Sequence, residues 1–197
     1  MTALLWTLFG YLLGSIPFGV LVTRAMNLGD LRNIGSGNIG ATNVLRTGNK
    51  AAAAATLLLD GGKGAVAVLL ARWLAGEGEV AQLAGLAAMI GHCFPVWLRF
   101  KGGKGVATFL GTMLALAWPI GLLCCVTWLV AFALSRISSV GALAAVASVA
   151  PWTLLLGRTD LTITALALTI VVLWRHKENI ARLQAGTEPR VGRKDKT

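Results

Sequence analysis

The fold of this chain is decided by one long apolar run, VATFLGTMLALAWPIGLLCCVTWLVAFAL, which occupies residues 106–134. A single helix of this length would be about 43 Å long, whereas the hydrocarbon core of a bilayer is about 30 Å thick. Trp118 and Pro119 offer a break, because tryptophan favours the membrane interface and proline cannot continue a helix. The sequence therefore predicts two short spans here, 106–117 and 119–134.

Apolar stretches also fill the chain on both sides of this run. Of the 197 residues, 56% are hydrophobic and 13% are charged, whereas soluble domains carry about 25% charged residues. This composition excludes a soluble domain, a disordered chain, a coiled coil and a disulfide-rich module, and it indicates a polytopic membrane protein. The predicted spans are 3–22, 51–71, 80–98, 106–117, 119–134, 140–156 and 161–174.

The distribution of basic residues predicts the direction of these spans. Seven spans put 15 of the 18 lysines and arginines on one face, whereas leaving 106–134 unbroken puts nine on one face and eight on the other. Because cytoplasmic loops carry the excess of Lys and Arg, we expect an all-α membrane protein with seven transmembrane helices, its N-terminus outside and its C-terminus cytoplasmic. A version with five spans and two re-entrant segments stays open. Residues 1–183 are predicted to form a single membrane domain, and 184–197 a polar basic tail.

Three polar segments fall on the predicted cytoplasmic face. They read NIGSGNIGATNVLR (33–46), GHCFP with FKGGKGVAT (91–95 and 100–108), and RHKENIARL (175–183) followed by Gly186 and Glu188. Glycine lets backbone N–H groups curl around an anion, a following helix N-terminus adds its dipole, and Lys and Arg supply charge. The segments therefore predict Gly-rich cytoplasmic loops that bind phosphate, although a tight turn with snorkelling lysines is the plainer alternative for 101–105.

Two familiar phosphate motifs do not apply to these loops. The stretch GSGNIG (35–40) matches the dinucleotide-binding pattern, but a membrane helix precedes it where that pattern needs a strand. Lys104 is followed by Gly105, where a Walker A motif needs Ser or Thr. The net charge of +10 is assigned to cytoplasmic loops and anionic lipids, with no nucleic-acid partner.

Metal chemistry is not expected at these loops. Membrane phosphotransferases hold magnesium with clustered aspartates, and the predicted cytoplasmic segments hold only Asp30, Glu178, Glu188 and Asp195. The sequence predicts a site without metal or cofactor, acting by positioning and by neutralising phosphate charge. It also contains no H-x-x-x-x-D, the usual base motif of thioester-using acyltransferases.

Asp60 and Lys63 stand three residues apart inside the second predicted span. Charges inside a membrane are costly and usually face the protein interior in pairs. Two interpretations stay open: a wall of the site, or a structural pair at a helix end.

At these positions the sequence resembles a known family, the acyl-phosphate:glycerol-3-phosphate acyltransferases of bacterial phospholipid synthesis, PlsY. The resemblance covers nearly the whole chain. It is carried by GSIPFG (14–19), GSGNIGATN (35–43) with Arg46, Asp60 with Lys63-Gly64, Gly91-His92 with Phe94-Pro95, FKGGKGVAT (100–108), and Arg175-His176 with Asn179-Ile180 and Arg182-Leu183. It implies a multi-pass enzyme of the bacterial inner membrane that uses acyl phosphate and glycerol 3-phosphate to make lysophosphatidic acid, with its site facing the cytoplasm.

The resemblance also implies roles for individual residues. Ser36, Arg46 and Lys104 are the expected catalytic residues. The expected substrate- and phosphate-binding residues are Gly37, Asn38, Asn43, Lys101, Gly102, Gly103, Gly105, His176 and Asn179. Further candidates are Asp60, Lys63, His92, Arg182 and Glu188, the last with a structural role left open. The expected partners are the two substrates and membrane lipids, and the chain is expected to act as a monomer.

Two rival functions fit the sequence less well. A transporter of anionic solutes would show inverted repeats and broken helices meeting near the midplane, and the sequence shows no repeat. A metal-dependent phosphotransferase would need the missing aspartate cluster.

Overall fold

The computed structural model describes residues 1–76 and 78–191, which contain helices and no strand. The helices are α1 Thr2–Gly14, α2 Phe18–Ala25, α3 Ala41–Val44, α4 Lys50–Ala75, α5 Gly78–Cys93, α6 Val106–Leu116, α7 Trp118–Ser135, α8 Ser138–Leu155, α9 Thr162–Arg175 and α10 Lys177–Gln184. Short 3-10 turns at Leu31–Asn33, Leu45–Thr47, Val96–Leu98 and Thr159–Leu161 lie between them. The expectation of an all-α protein is confirmed, with a helix at every predicted span.

Five helical stretches among the described residues are long and apolar enough to cross a membrane. They are Thr2–Ala25, Lys50–Ala75, Gly78–Leu98, Trp118–Ser135 and Ser138–Leu155. Helix α6 has 11 residues and α9 has 14, so they measure about 16 and 21 Å at about 1.5 Å per residue. The count of seven crossings and the orientation therefore stay predictions.

The chain breaks its long apolar run where the sequence predicts. Helix α6 ends at Leu116, Ala117 is extended with φ −151° and ψ 93°, and α7 begins at Trp118. Pro119 stands in the first turn of α7, where its missing N–H costs nothing because those donors have no helical partner. A Cβ at Gly121 would lie 2.4 Å from the Leu114 nitrogen, so only glycine lets the start of α7 approach α6 this closely.

The described residues divide into two compact units, Met1–Gly121 and the part from Leu122 onward. In the first unit, α1 packs on α5 through small residues. A Cβ at Gly10 would lie 2.2 Å from the Ala84 carbonyl oxygen, and one at Gly14 would lie 2.0 Å from that of Ala88. Lipid tails are as apolar as leucine, so membrane helices associate by close backbone packing rather than by hiding large apolar side chains.

The second unit is built on α8 and α9. Leu168 and Val172 of α9 are fully buried, as are Ala145 and Val149 of α8. Large apolar side chains elsewhere face outward, with Leu134 and Ile163 both 83% exposed, as expected of surfaces in contact with lipid. The single domain expected for 1–183 stays a prediction, and the predicted tail beyond residue 191 lies outside the described residues.

Candidate active site

The first Gly-rich loop is held in shape by a buried amide. Asn43 is 3% exposed, and its Oδ1 accepts the Ser36 backbone N–H at 3.1 Å and the Ser36 hydroxyl at 3.4 Å. Its Nδ2 donates to the carbonyls of Leu31 at 3.0 Å and Asn38 at 2.7 Å. The Asn38 side chain also stabilises the loop, since its Oδ1 accepts the Gly40 N–H at 3.0 Å. Both asparagines therefore build the loop that carries Ser36.

Arg46 lies directly against this loop. Gly35 has φ +52°, and a Cβ there would lie 2.4 Å from Arg46 Nη1 and 2.5 Å from its Cδ. A side chain at position 35 would therefore displace the arginine. Ser36 and Arg46 are both exposed, so the fold brings a hydroxyl and a guanidinium together at one surface. Gly37, with φ +66°, completes the same turn.

The second Gly-rich loop folds back over the end of α5. The N–H groups of Gly102 and Gly103 donate to the carbonyls of Cys93 and His92, each at 3.1 Å. A Cβ at Gly103 would lie 2.1 Å from His92 Nε2, so the glycine rests on the imidazole. Gly105 has φ +81° and caps α6. Lys104 is thereby placed at the N-terminus of a helix, where the backbone dipole also favours an anion.

A buried polar cluster, which includes His92, packs against the second loop. Lys63 Nζ donates to Asp60 Oδ1 at 2.8 Å and to the Ile16 carbonyl at 2.8 Å, and His92 Nδ1 lies 3.5 Å from Asp60 Oδ1. All three side chains are at most 5% exposed. The Thr108 hydroxyl also donates to the Asp60 carbonyl at 2.9 Å. The cluster therefore fastens the α1–α2 break, α4, α5 and α6 together.

The position of this cluster bears on the two interpretations of Asp60 and Lys63. Helix α4 begins at Lys50 and ends at Ala75, so the pair lies within the helix and not at its end. The interpretation as a structural pair at a helix end is therefore wrong. The other interpretation, in which Asp60 and Lys63 form a wall of the site, stays a prediction.

The third polar segment lies in the second unit and is organised around Glu188. The Glu188 Oε1 accepts the Ser139 hydroxyl at 2.6 Å and the Asn179 Nδ2 at 2.5 Å, and its Oε2 accepts the Arg182 Nε at 2.6 Å. Burial raises the pKa of Glu188, but these three donors outweigh it and hold the pKa below its ordinary value. Glu188 and Arg182 thus order the segment around Asn179.

His176 is buried at the junction of α9 and α10. It is 3% exposed, and its Nδ1 lies 2.8 Å from the Val172 carbonyl oxygen. That carbonyl can only accept, so Nδ1 carries a proton and donates it to the carbonyl. The binding roles expected for His176 and Asn179 stay predictions.

Lys101 lies at a cleft that Lys104 does not line, and its expected role in substrate binding stays a prediction. Arg24, Arg32 and Arg99 line the same cleft. Sequence reasoning did not single out Arg24, Arg32 or Arg99 as site residues. Arg24 and Arg99 carried a signal, because each stands next to a predicted span end on the basic face, whereas Arg32 lies between two spans and carried none.

Sequence reasoning also missed Ser139, the partner of Glu188. A serine at the start of a span carries no signal of its own, because its partner lies 49 residues further along the chain.

No group of three or more His, Cys, Asp or Glu side chains comes together as a metal ligand set in residues 1–76 and 78–191. The expectation of a metal-free site stays a prediction.

Comparison with known proteins identifies the family. Residues 4–186 match the family model of glycerol-3-phosphate acyltransferase. The chain belongs to this family. A glycerol-3-phosphate acyltransferase of Ruegeria pomeroyi is 64% identical over 194 residues, covering 98% of this chain and 95% of the relative. One from Ruegeria sp. strain TM1040 is 68% identical and covers 97% and 94%.

Solved structures of the glycerol-3-phosphate acyltransferase family share the fold. A crystal structure of PlsY, an integral membrane glycerol 3-phosphate acyltransferase, in its glycerol 3-phosphate form has a TM-score of 0.91 and 38% identity, covering 98% of this chain and 96% of that one. Its lysophosphatidic acid form has a TM-score of 0.88 and 36% identity, with the same coverage. The family resemblance is confirmed, and the chain is a multi-pass integral membrane protein.

Proposed function

We propose that this chain transfers an acyl group from acyl phosphate to glycerol 3-phosphate, giving 1-acyl-glycerol 3-phosphate and phosphate. The observation that carries the proposal is the packing of Arg46 against Gly35, the residue before Ser36, in a member of this family. Relatives named glycerol-3-phosphate acyltransferase support the acceptor. The PlsY forms with glycerol 3-phosphate and lysophosphatidic acid support both acceptor and product.

The proposed reaction needs charge neutralisation and positioning more than a nucleophile. Acyl phosphate is a mixed anhydride with a good leaving group, so the glycerol hydroxyl attacks the acyl carbonyl carbon directly. The new C–O ester bond forms, the bond from that carbon to the phosphate oxygen breaks, and phosphate leaves. The hydroxyl proton goes to a substrate phosphate oxygen, which serves as the base.

We assign the residues to this chemistry by their charge and by the family resemblance of their motifs. Arg46, Lys104 and His176 neutralise phosphate charge, and arginine can do so bidentately. Ser36, Asn38 and Asn179 orient the substrates by hydrogen bonds, with His92 and Gly103 holding the Lys104 loop. Gly37, Asn43, Gly102 and Gly105 give the loops their shape and bind substrate through their backbones.

The proposed setting is the bacterial inner membrane, with the site facing the cytoplasm. Seven spans with the N-terminus outside, no metal or cofactor, and function as a monomer belong to the same proposal. The helix observed at each predicted span and the basic residues at the span ends support this arrangement.

The proposed donor is tested with purified protein in lipid, palmitoyl phosphate and glycerol 3-phosphate, following phosphate release and lysophosphatidic acid formation. We expect both products in equal amounts, and none when glycerol 3-phosphate is omitted. Palmitoyl-CoA replaces palmitoyl phosphate in a parallel reaction. Transfer from palmitoyl-CoA at a comparable rate would contradict the proposed donor.

The proposed phosphate ligands are tested by Arg46→Ala and Lys104→Ala. A hydrogen bond to a charged group is worth about 1.5–3 kcal/mol, or about 10- to 150-fold in kcat/KM. Arg46→Lys should restore little, because an ammonium does not replace a bidentate guanidinium. The matched control is Arg190→Ala, which removes an exposed charge outside the loops. If Arg46→Ala and Lys104→Ala keep near-full activity while folded, the assignment is wrong.

A further inference from the structure

A concave cleft of about 750 Å³ lies in the first unit and is lined by neither Ser36, Arg46 nor Lys104. Four of its lining residues are the cations Arg24, Arg32, Arg99 and Lys101, and the carboxylate among the lining residues is Asp30. All four cations are exposed. The cleft therefore carries an excess of positive charge in a concave surface, which concentrates the field on an anion.

These cations are not neutralised by the protein. None of the four is within ion-pair distance of a carboxylate in the part of the chain that the structure describes. The Asp30 Oδ1 accepts the backbone N–H of Arg32 at 3.0 Å, so this carboxylate is used to cap the turn at 31–33. The positive charge of the cleft is therefore not balanced by an ion pair within the described residues and is available to an anionic ligand.

The cleft lies at the level where two candidate spans end. Arg24 is in the last turn of the span Thr2–Ala25, and Arg99 follows the span Gly78–Leu98. Trp97 also lines the cleft, with its ring 60% exposed and its Nε1 donating to the Ser15 hydroxyl at 2.7 Å. Exposed tryptophans and cations at span ends mark the headgroup region of a bilayer.

We propose that this cleft is a second anion site, separate from the proposed active site, that binds the phosphate headgroup of a membrane lipid. Guanidinium groups match a phosphate monoester in both charge and geometry, and basic pockets between membrane helices recognise lipid headgroups. Val20 and Leu98 also line the cleft and are partly exposed, so they offer apolar surface that a lipid can use and free phosphate cannot. This site does not depend on the reaction proposed above.

The test measures binding of phosphatidic acid to the purified full chain in a neutral detergent by native mass spectrometry. Phosphatidic acid carries a phosphate monoester and is neither substrate nor product of the proposed reaction. Each cation near a membrane surface contributes about fivefold in affinity, so Arg24→Ala with Arg99→Ala should weaken binding about 30-fold. Phosphatidylcholine, which has no net charge, should not bind to the cleft.

The controls separate this site from the proposed active site and from bulk charge. Arg190→Ala should change the Kd less than twofold, and Lys104→Ala should keep the phosphatidic acid bound. The double variant should keep its thermal unfolding temperature, because both arginines are exposed, and its acyl transfer activity. Failure of the proposed reaction would appear in the activity assay and leave this binding result intact.

Two outcomes would overturn the proposal. Unchanged binding of phosphatidic acid by the double variant would remove the cleft as an anion site. Displacement of phosphatidic acid by inorganic phosphate at equal concentration would leave a site for soluble phosphate and overturn the lipid assignment.

Discussion

Replacing Gly103 by alanine should disable the proposed acyl transfer without removing any functional group. The new Cβ would lie 2.1 Å from His92 Nε2 and 2.8 Å from its Cε1. The imidazole has little room to yield, because His92 is 5% exposed and its Nδ1 lies 3.5 Å from Asp60 Oδ1. Overpacking of this kind costs about 1–3 kcal/mol of folding free energy. A shift of about 1 Å in the adjoining Lys104 would cost about 100-fold in kcat/KM.

The assay pairs kcat/KM for phosphate release with thermal unfolding in detergent, and Gly62→Ala serves as the matched control. Gly62 lies inside α4, and a Cβ there would meet no atom within 4 Å. Alanine in a helix interior is favoured over glycine by about 0.5–1 kcal/mol. The two Gly→Ala substitutions should therefore change the unfolding temperature in opposite directions, and only Gly103→Ala should reduce activity.

A double-mutant cycle identifies the cause of the Gly103→Ala defect. His92→Ala removes the ring that the new methyl group would strike. The folding cost of Gly103→Ala should therefore largely disappear in the His92→Ala background, as contacting residues usually couple by about 0.5–3 kcal/mol. An equal cost in both backgrounds, or an active and fully stable Gly103→Ala protein, would refute the argument from the overlap with His92.

Three further predictions follow from the site and the fold. Activity should survive EDTA, since the polar loops hold few carboxylates, and activity that is lost in chelator and restored by magnesium would contradict the metal-free site. Cysteines placed at the exposed positions Lys50 and Glu79 should react with an impermeant maleimide from opposite sides of the membrane, with the wild-type protein giving the background, and labelling from the same side would overturn the topology. Because the pKa of Glu188 is lowered in the fold, its stabilising effect is present above the unfolded value of 4.5 and is lost as the pH falls through the lower folded value. The stability difference between wild type and Glu188→Gln, measured by thermal unfolding, should therefore shrink below that pH, and a difference that stays constant would exclude Glu188 as its source.

The helices were predictable because the physics that places them is local. Apolar runs must satisfy their backbone hydrogen bonds internally in lipid, which makes each run a helix. Proline then limits where a helix can continue, and the break at Ala117 follows from Pro119 two residues later. The number of membrane crossings was harder to predict from the sequence, because the 11 residues of α6 are too few to span a bilayer by themselves.

The contacts that tie the site together were not predictable, because they join residues far apart in sequence. Lys63 donates to the Ile16 carbonyl 47 residues away, and no spacing rule connects a helix interior to a distant break. The motif around Arg46 was easier to interpret, because only a short loop and the four-residue helix α3 separate Gly35 from Arg46. Local glycine patterns therefore indicated where the loops lie but not what holds them.

The structure also explains why a dense polar motif overstates the number of groups available to a substrate. A glycine-rich loop loses much conformational entropy when it is ordered, and hydrogen bonds from neighbouring side chains must offset that cost. The Oδ1 and Nδ2 atoms of Asn43 hold the loop of Ser36, and the Glu188 carboxylate holds the segment of Asn179. The polar side chains that stay exposed on the first loop are those of Asn33, Ser36, Thr42 and Arg46. An ordered loop that presents few groups is suited to a reaction that depends on positioning, because the ordering cost is met on folding and not on substrate binding.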